Sequence, residues 1–220
     1  MRGVPCVASV AEHAGWANVV CVATVGGVPA VVERRRVALI DAGLPRMPYH
    51  HESLGMPEDA ANALISRVRR SIATRASLAL QRVMTDLAPA HAIVALAIRK
   101  PPFSELPETV ANVWQSYRLQ CAADGMMYQL AVCGAARELG LDVQLFRRGE
   151  EAQRAAERLG VTADDIESFV SSAGRPGGAP WTQEHRRAFA AGIAVLATLT
   201  PLSASALRPH RAATGRPLRN

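Results

Sequence analysis

The sequence predicts an α/β fold in which three antiparallel strands precede alternating helices and parallel strands. Three valine-rich runs, over residues 4–10, 17–25 and 28–40, are separated by short glycine-bearing turns, which is typical of a β-meander. After residue 57, amphipathic segments alternate with short, continuously apolar runs. This alternation indicates helices that cover a sheet whose later strands are buried on both faces.

The third strand contains a charged stretch in its middle, Glu33 to Arg36. Charges in this position are typical of an edge strand, where they discourage pairing with another molecule. An RNA-binding patch is the alternative interpretation. A loop over residues 41–57 follows, because glycine and proline recur through it.

Apolar residues recur every three or four positions from Glu58 to Leu87, which predicts a long amphipathic helix. A buried strand is expected over 92–98. The next helical region, 107–140, could contain a break between Tyr117 and Gly125, since Asp124-Gly125 interrupts the pattern. The remaining predicted elements are a strand over 142–146, helices over 150–159 and 162–170, a flexible connection over 174–180 and a final helix over 182–199.

Composition predicts one domain over residues 1–199 and a basic, disordered tail over 200–220. The net charge of the 220 residues is +6, and subtracting the four arginines of the acid-free tail leaves +2 for the body. The charge alone is therefore a weak indication of a polyanionic partner. Hydrophobic residues make up 49% of the chain, which is enough for a sizeable core.

The four cysteines, Cys6, Cys21, Cys121 and Cys133, show neither a C-x-x-C spacing nor a zinc-finger spacing to histidine. This usage is typical of buried thiols in a reducing compartment, so a cytoplasmic location is expected. No apolar window reaches the roughly 18 to 20 residues of a membrane span, so no membrane association is expected. The sequence has no phosphate loop or dinucleotide fingerprint, which disfavours ATP or NAD dependence.

The order of the predicted elements resembles the ribonuclease H-like superfamily, and most closely its Holliday-junction resolvase branch. The resemblance covers residues 4–199 and is one of shape and hydrophobic pattern. Four features carry it. A strand over 7–10 turns at Gly15 into a strand over 19–25, and a helix and a buried strand follow within 64–98. Within 126–146, a helix with small residues leads through Leu-Gly-Leu into a strand, and an alanine-rich helix closes the pattern over 184–197.

The resemblance implies divalent metal ions held by acids at the ends of the first and fourth strands and on the last helix. On this chain the first acid position falls at Ala11, beside Glu12, and the second falls near Ala97. On the last helix, Glu184 meets one acid position and Arg187 lies near another. The chain thus keeps one clear match and one near miss.

The resemblance also implies that the carboxyl ends of strands one, three, four and five share one edge of the sheet, where open sheets usually bind ligands. The polar residues expected at this edge are Glu12, His13, Tyr49, His50, His51, Glu52, Arg99, Lys100, Arg147 and Arg148, with Glu184 and His185 at the start of the last helix.

One functional hypothesis is a nuclease, or another nucleic-acid-processing phosphodiester hydrolase, that uses Mg²⁺ or Mn²⁺ with an altered ligand set. The predicted catalytic residues are Glu12, Glu52, Glu184 and His185. The predicted metal ligands are Glu12, His50, His51 and Glu184. The predicted phosphate-binding residues are Arg99, Lys100, Arg147 and Arg148.

Each of these residues also has an ordinary structural interpretation. Glu12 could be a turn residue, and His50 and His51 could lie in a solvated loop. Glu184 and His185 could form a polar first turn, where the helix dipole favours the acid. Asp124 is either a buried acid within a helix or a residue at a kink or on the surface.

The second hypothesis is a catalytically inactive ribonuclease H-like module for binding or assembly. Its partner would be nucleic acid, another protein or a second copy of the chain. The two hypotheses are distinguished by whether the predicted acids converge on one site.

Overall fold

The computed structural model describes residues 3–173, 180–202 and Leu207. The elements are β1 (Val4–His13), β2 (Trp16–Val25), β3 (Val28–Ala38), α1 (Glu58–Leu87), β4 (His91–Arg99), α2 (Val110–Trp114), α3 (Tyr117–Glu138), β5 (Asp142–Phe146), α4 (Glu151–Leu159), α5 (Ala163–Ala173) and α6 (Gln183–Leu199). The predicted connection over 174–180 and the predicted tail lie almost wholly outside the described residues. No helix in the described part of the chain is both long and apolar enough to cross a membrane.

The strands form one five-stranded sheet in the order β3-β2-β1-β4-β5. Strands β1, β2 and β3 pair antiparallel, whereas β4 lies parallel to β1 and β5 lies parallel to β4. The predicted meander followed by parallel strands is therefore confirmed. Strand β3, with its charged middle, lies at the edge of the sheet, as predicted. The carboxyl ends of β1, β4 and β5 meet at one end of the sheet.

Helices cover both faces of the sheet, and successive side chains of β1 alternate between them. Cys6, Ala8 and Val10 belong to the core that α1 and α3 form on one face. Val7 belongs to the core that α4, α5 and α6 form on the other face. This alternation determines which face each residue at the end of β1 can reach.

Helix α6 lies close against the sheet at Gly192. A Cβ atom built on Gly192 would overlap the Val22 side chain and would lie 2.8 Å from Ser9 Oγ. A larger residue here would therefore push the helix away from β1 and β2. The glycine thus fixes how near the polar first turns of α6 lie to the end of β1.

Two threonines cap helices where the sequence predicts helix starts. Thr162 and Asp165 exchange hydrogen bonds in the predicted capping box before α5. At α6, the Thr182 hydroxyl accepts from the His185 backbone N–H, and His185 Nδ1 accepts from the Thr182 backbone N–H. The cap therefore occupies one of the two ring nitrogens of His185.

The predicted helix break between Tyr117 and Gly125 was wrong. Helix α3 runs without interruption from Tyr117 to Glu138, and the break lies before it, at 115–116. Asp124 is buried within this helix, and its two carboxylate oxygens accept the backbone N–H groups of Tyr49 and His50, each at 3.0 Å. A polar residue in the middle of the helix is tolerated because a distant loop supplies its partners.

The long loop after β3 is fastened to α3 at two points. Asp124 holds Tyr49 and His50, and the Tyr128 hydroxyl donates to the Arg46 carbonyl oxygen at 2.8 Å. Burial raises the pKa of Asp124 to about 7, against the opposing effect of its two backbone donors. The loop therefore lies on the α1 and α3 face of the sheet.

Candidate functional site

A pocket lies where the carboxyl ends of β1, β4 and β5 meet the first turns of α4 and α6. We call it the α6 pocket. Its lining residues are Val10, Ala11, Glu12, Ala97, Ile98, Arg99, Phe146, Arg148, Glu151, Glu184, Arg187, Ala188 and Ala191. Four residues singled out from the sequence, Glu12, Arg99, Arg148 and Glu184, thus share one pocket, and this convergence follows from the parallel pairing of β1, β4 and β5.

Glu12 forms the most buried ion pair at this pocket, and its side chain is only 4% exposed. Its Oε1 accepts from Arg99 Nη2 at 2.7 Å and from Gln129 Nε2 at 2.8 Å. Since Gln129 belongs to α3, the Glu12 carboxylate is directed towards the α3 face and not towards α6. The negative charge of Glu12 is thereby compensated within the protein.

Two of the strand positions on the α6 side of the pocket are alanines. Ala97 packs in the core on the α6 face, and Ala11 shares the β1 face of Val7 and Ser9 by alternation. Both line the pocket opposite Arg187. These are the strand and helix positions where the family resemblance implies carboxylates.

Next along β1, His13 faces α6 and contacts Glu184. His13 Nε2 and Glu184 Oε2 are 2.8 Å apart. The His13 ring stacks on Trp16 with centroids 3.9 Å apart, and Arg36 covers the same indole at 3.7 Å from its centroid. These contacts hold the His13 ring in place, so Glu184 has a fixed partner at the rim of the pocket.

Glu151 is a pocket residue that the sequence reasoning missed. It lies in the first turn of α4, is buried, and its Oε2 accepts the Gly149 backbone N–H at 2.9 Å. Its position in the sequence could have indicated it, because Glu151 follows the end of β5 by only a few residues and therefore lies near the same edge of the sheet. Gln129 was also missed, since nothing local to α3 indicates that it contacts β1.

His185, predicted to be catalytic, does not line the α6 pocket. Its ring is buried, caps α6 through Nδ1 and stacks on Trp181 with centroids 5.6 Å apart. Burial, and secondarily the positive charge of Arg34, lowers the pKa of His185, so the ring is neutral near pH 7. The structure therefore gives this histidine a local role in starting the helix.

The segment Tyr49 to Glu52 lies away from the α6 pocket, on the α3 face. His50 stacks on His51 with centroids 4.1 Å apart and meets Tyr117 edge to face. The expected convergence of His50, His51 and Glu52 with Glu12 is not found among the described residues, which contain no group of three metal-ligating side chains. Glu12 also faces α3, but it contacts Gln129, whereas the loop is held at Asp124.

A second cavity adjoins the α6 pocket, and we call it the basic cleft. Its lining residues are Arg99, Lys100, Pro101, Pro102, Arg147 and Arg148. All four residues predicted to bind phosphate lie here, at the ends of β4 and β5. Arg99 and Arg148 line both cavities, so the basic cleft opens directly towards the α6 pocket.

No protein-family model and no curated protein sequence matches this chain. Several solved structures are similar to it, and two of them are structures of RuvC. One is described as the Thermus thermophilus RuvC structure, with a TM-score of 0.51, 14% identity and coverage of 88% of this chain and 95% of RuvC. The other is T. thermophilus RuvC in complex with a Holliday junction substrate, with a TM-score of 0.51, 13% identity and coverage of 88% and 94%. The fold is ribonuclease H-like.

The residues present do not fit the metal centre that a ribonuclease H-like fold implies. At two of the expected acid positions the residues are Ala11 and Ala97, whose side chains have no atom that could bind a metal ion. Near the third position, on the last helix, Arg187 has a positive charge where the resemblance implies a negative one. Glu12 is turned to α3 and paired with Arg99. Within the ranges that the structure describes, no group of three or more histidine, cysteine, aspartate or glutamate side chains could hold a metal ion.

Proposed function

We propose that this protein is a ribonuclease H-like module that binds nucleic acid and does not cleave it. The observation that carries the proposal is the replacement of the expected acids by Ala11, Ala97 and Arg187 around one pocket. Phosphodiester hydrolysis with two metal ions needs several carboxylates that converge on the cations. Alanines and an arginine at these positions favour a phosphate ligand over a metal ion.

Charge in the basic cleft supports nucleic acid as the ligand. Arg99, Lys100, Arg147 and Arg148 line one cleft, and of these only Arg99 and Arg147 form ion pairs with described residues. The Arg147–Glu150 pair is long, at 3.7 Å, and the Arg147 side chain is 75% exposed. Such cations can move to phosphates at little cost. The similar RuvC structure in complex with a Holliday junction substrate supports the same ligand class.

Metal-dependent hydrolysis is the competing function, because three acidic residues, Glu12, Glu151 and Glu184, do line the α6 pocket. Each accepts a hydrogen bond from, or pairs with, a protein group: Arg99 for Glu12, the Gly149 N–H for Glu151 and His13 for Glu184. A metal ion would have to displace at least Arg99 from Glu12 and His13 from Glu184. The geometry therefore favours binding without hydrolysis.

The test measures binding and cleavage on the same substrates. Fluorescently labelled single-stranded, duplex and four-way-junction DNA and RNA are titrated with the protein at several salt concentrations, by anisotropy. The same substrates are incubated with Mg²⁺ and with Mn²⁺ and analysed on denaturing gels. We expect binding that weakens with salt, and intact substrates.

The variant Lys100→Gln/Arg147→Gln should weaken binding. It should also reduce the slope of log affinity against log salt concentration by roughly two, one for each cation that no longer contacts a phosphate. The matched control is Arg67→Gln/Arg70→Gln, which removes two exposed charges from α1 and should leave binding unchanged. Metal-dependent cleavage that disappears in Glu12→Gln would establish the hydrolase instead. Absence of binding to every substrate would remove the proposal.

A further inference from the structure

We infer that the α6 pocket is a phosphate site that works without metal ions, and this inference rests on the proposed function. In this site the guanidinium groups of Arg187 and Arg148 replace the metal ions of a ribonuclease H-like centre. The ligand is a single phosphate group of a nucleic-acid strand. The remainder of the strand lies in the basic cleft, which shares Arg99 and Arg148 with the pocket.

The first observation is that two pocket arginines have no acidic partner among the described residues. Neither Arg148 nor Arg187 forms an ion pair with any residue in the described part of the chain. Arg187 is half-buried on α6 between the α6 pocket and a neighbouring cavity beside α5. A partly buried guanidinium without a counter-ion favours an anion from outside, and its planar donors match two phosphate oxygens at once.

The second observation is that the carboxylates of the pocket are largely engaged. Arg99 compensates the charge of Glu12, and Glu184 bonds to His13. Glu151 is the exception, since its only described partner is the uncharged Gly149 N–H. Glu151 would therefore oppose an anion in the pocket, and this opposition provides a sharp test.

The third observation is the space that the alanines leave. Ala11, Ala97, Ala188 and Ala191 all line the pocket with methyl groups, and its volume is about 80 Å³. A cavity needs roughly 10–15 Å³ of such volume to hold one water molecule, so a group of several heavy atoms can enter this pocket. The long side chains of Arg148 and Arg187 can then close around it.

The experiment uses inorganic phosphate as the probe, with the full chain in EDTA and chloride added to keep the ionic strength constant. Phosphate affinity is obtained from the concentration dependence of the melting temperature, because a ligand that binds only the folded state raises it by mass action. We expect stabilisation of the wild type without metal. Arg187→Gln should weaken the apparent affinity by about tenfold or more, as expected when charge-assisted hydrogen bonds are removed.

The reciprocal variant is Glu151→Gln, which retains an oxygen acceptor for the Gly149 N–H and removes the opposing charge. We expect it to bind phosphate several-fold more tightly. A metal site would respond in the opposite direction, because it would lose a ligand. Arg67→Gln on α1 is the control, and should match the wild type, since general salt effects act on every variant equally.

Three outcomes would overturn the inference. They are no phosphate effect on the wild type in EDTA, an equal effect on wild type and Arg187→Gln, and a phosphate effect that appears only with added Mg²⁺. If Arg187→Gln does not fold, Arg187→Lys and Glu151→Gln decide the question by the same comparison. Oligonucleotide binding that persists without a phosphate effect removes this inference alone, whereas loss of all oligonucleotide binding removes the proposed function.

Discussion

Arg99 Nη2 donates to Glu12 Oε1 at 2.7 Å, and this ion pair ties the end of β4 to the end of the parallel strand β1. The Glu12 side chain is 4% exposed, whereas that of Arg99 is 41% exposed. The two partners therefore differ in what their removal costs. Removal of Arg99 leaves a buried negative charge without its cation, and this should destabilise the protein more than removal of Glu12, which leaves an exposed cation without its acid.

The first prediction concerns this pair. Arg99→Gln should lower the free energy of unfolding by about 1–3 kcal/mol, because it leaves the buried Glu12 carboxylate with Gln129 as its remaining described donor. Glu12→Gln should cost less, since the amide oxygen can still accept from both donors. Urea unfolding at pH 7 measures both values.

Arg147→Gln is the matched control, because its ion pair is long and exposed. It should change the free energy of unfolding by less than about 0.5 kcal/mol. If Arg99→Gln costs no more than this control, the Glu12–Arg99 pair has no structural importance.

The second prediction restores the acid positions. Ala11→Asp/Arg187→Asp should create a Mn²⁺ site with Glu184, because all three positions line the α6 pocket. At a Mn²⁺ concentration about 100 times the Kd, binding would add about 2.7 kcal/mol and raise the Tm by several degrees. The wild type should show no such rise.

Differential scanning fluorimetry with and without Mn²⁺ provides this measurement. Ala11→Asn/Arg187→Asn serves as the neutral control and should not respond. An equal response of the wild type and the acidic variant would mean that the present side chains already bind the metal.

The third prediction tests the close approach of α6 to the sheet. Gly192→Ala should cost about 1–3 kcal/mol, because the added methyl group overlaps Val22 and crowds Ser9. Gly134→Ala is the control, since Gly134 lies within α3 with no heavy atom within 4 Å of its added Cβ. Helix propensity predicts that this control stabilises the protein by up to about 1 kcal/mol.

Thermal and urea unfolding of the two variants give both values. Equal effects of the two substitutions would show that α6 can move away from the sheet without cost, which would contradict tight packing at Gly192.

The fourth prediction concerns Asp124 and pH. Its pKa is raised to about 7 in the folded protein, against about 3.9 in an unfolded chain. Between these values the folded state holds a proton that the unfolded state lacks, so this group lowers stability progressively as the pH rises from about 4 to about 7. Above pH 7 the effect is complete.

Asp124→Asn removes this titration. The stability of the variant relative to the wild type should therefore increase with pH, by up to about 1.4 kcal/mol per pH unit within that window. Urea unfolding at pH 5, 6, 7 and 8 gives the relative values. A difference that stays constant over this range would mean that Asp124 remains charged throughout.

The sequence was sufficient to predict the strands of the sheet, because these depend on local patterns, and the family resemblance added some of the residues at the edge. Valine-rich runs and glycine turns predict the meander, and the parallel strands that follow bring Glu12, Arg99 and Arg148 to one pocket. Thr182 was predicted as a helix start for the same reason, since a cap is a feature of adjacent residues.

What could not be predicted depends on contacts between distant segments. Nothing near Glu12 indicates that Gln129 lies beside it, and nothing near Asp124 indicates that Tyr49 and His50 supply its donors. Without these partners Asp124-Gly125 looks like a helix break, and the loop of His50 looks free to join the pocket. The sequence did not indicate on which face of the sheet the loop that contains His50 lies, and this information decides whether the loop can reach the α6 pocket.

At Gly192 the backbone of α6 packs directly on the side chains of Val22 and Ser9, because the glycine has no side chain of its own to lie between them. The distance between the sheet and Arg187, little more than one turn away, is therefore set by this close packing. We therefore expect the spacing between α6 and the sheet to stay fixed when a ligand enters the α6 pocket, so that only side chains such as those of Arg148 and Arg187 can adjust to the size of the ligand.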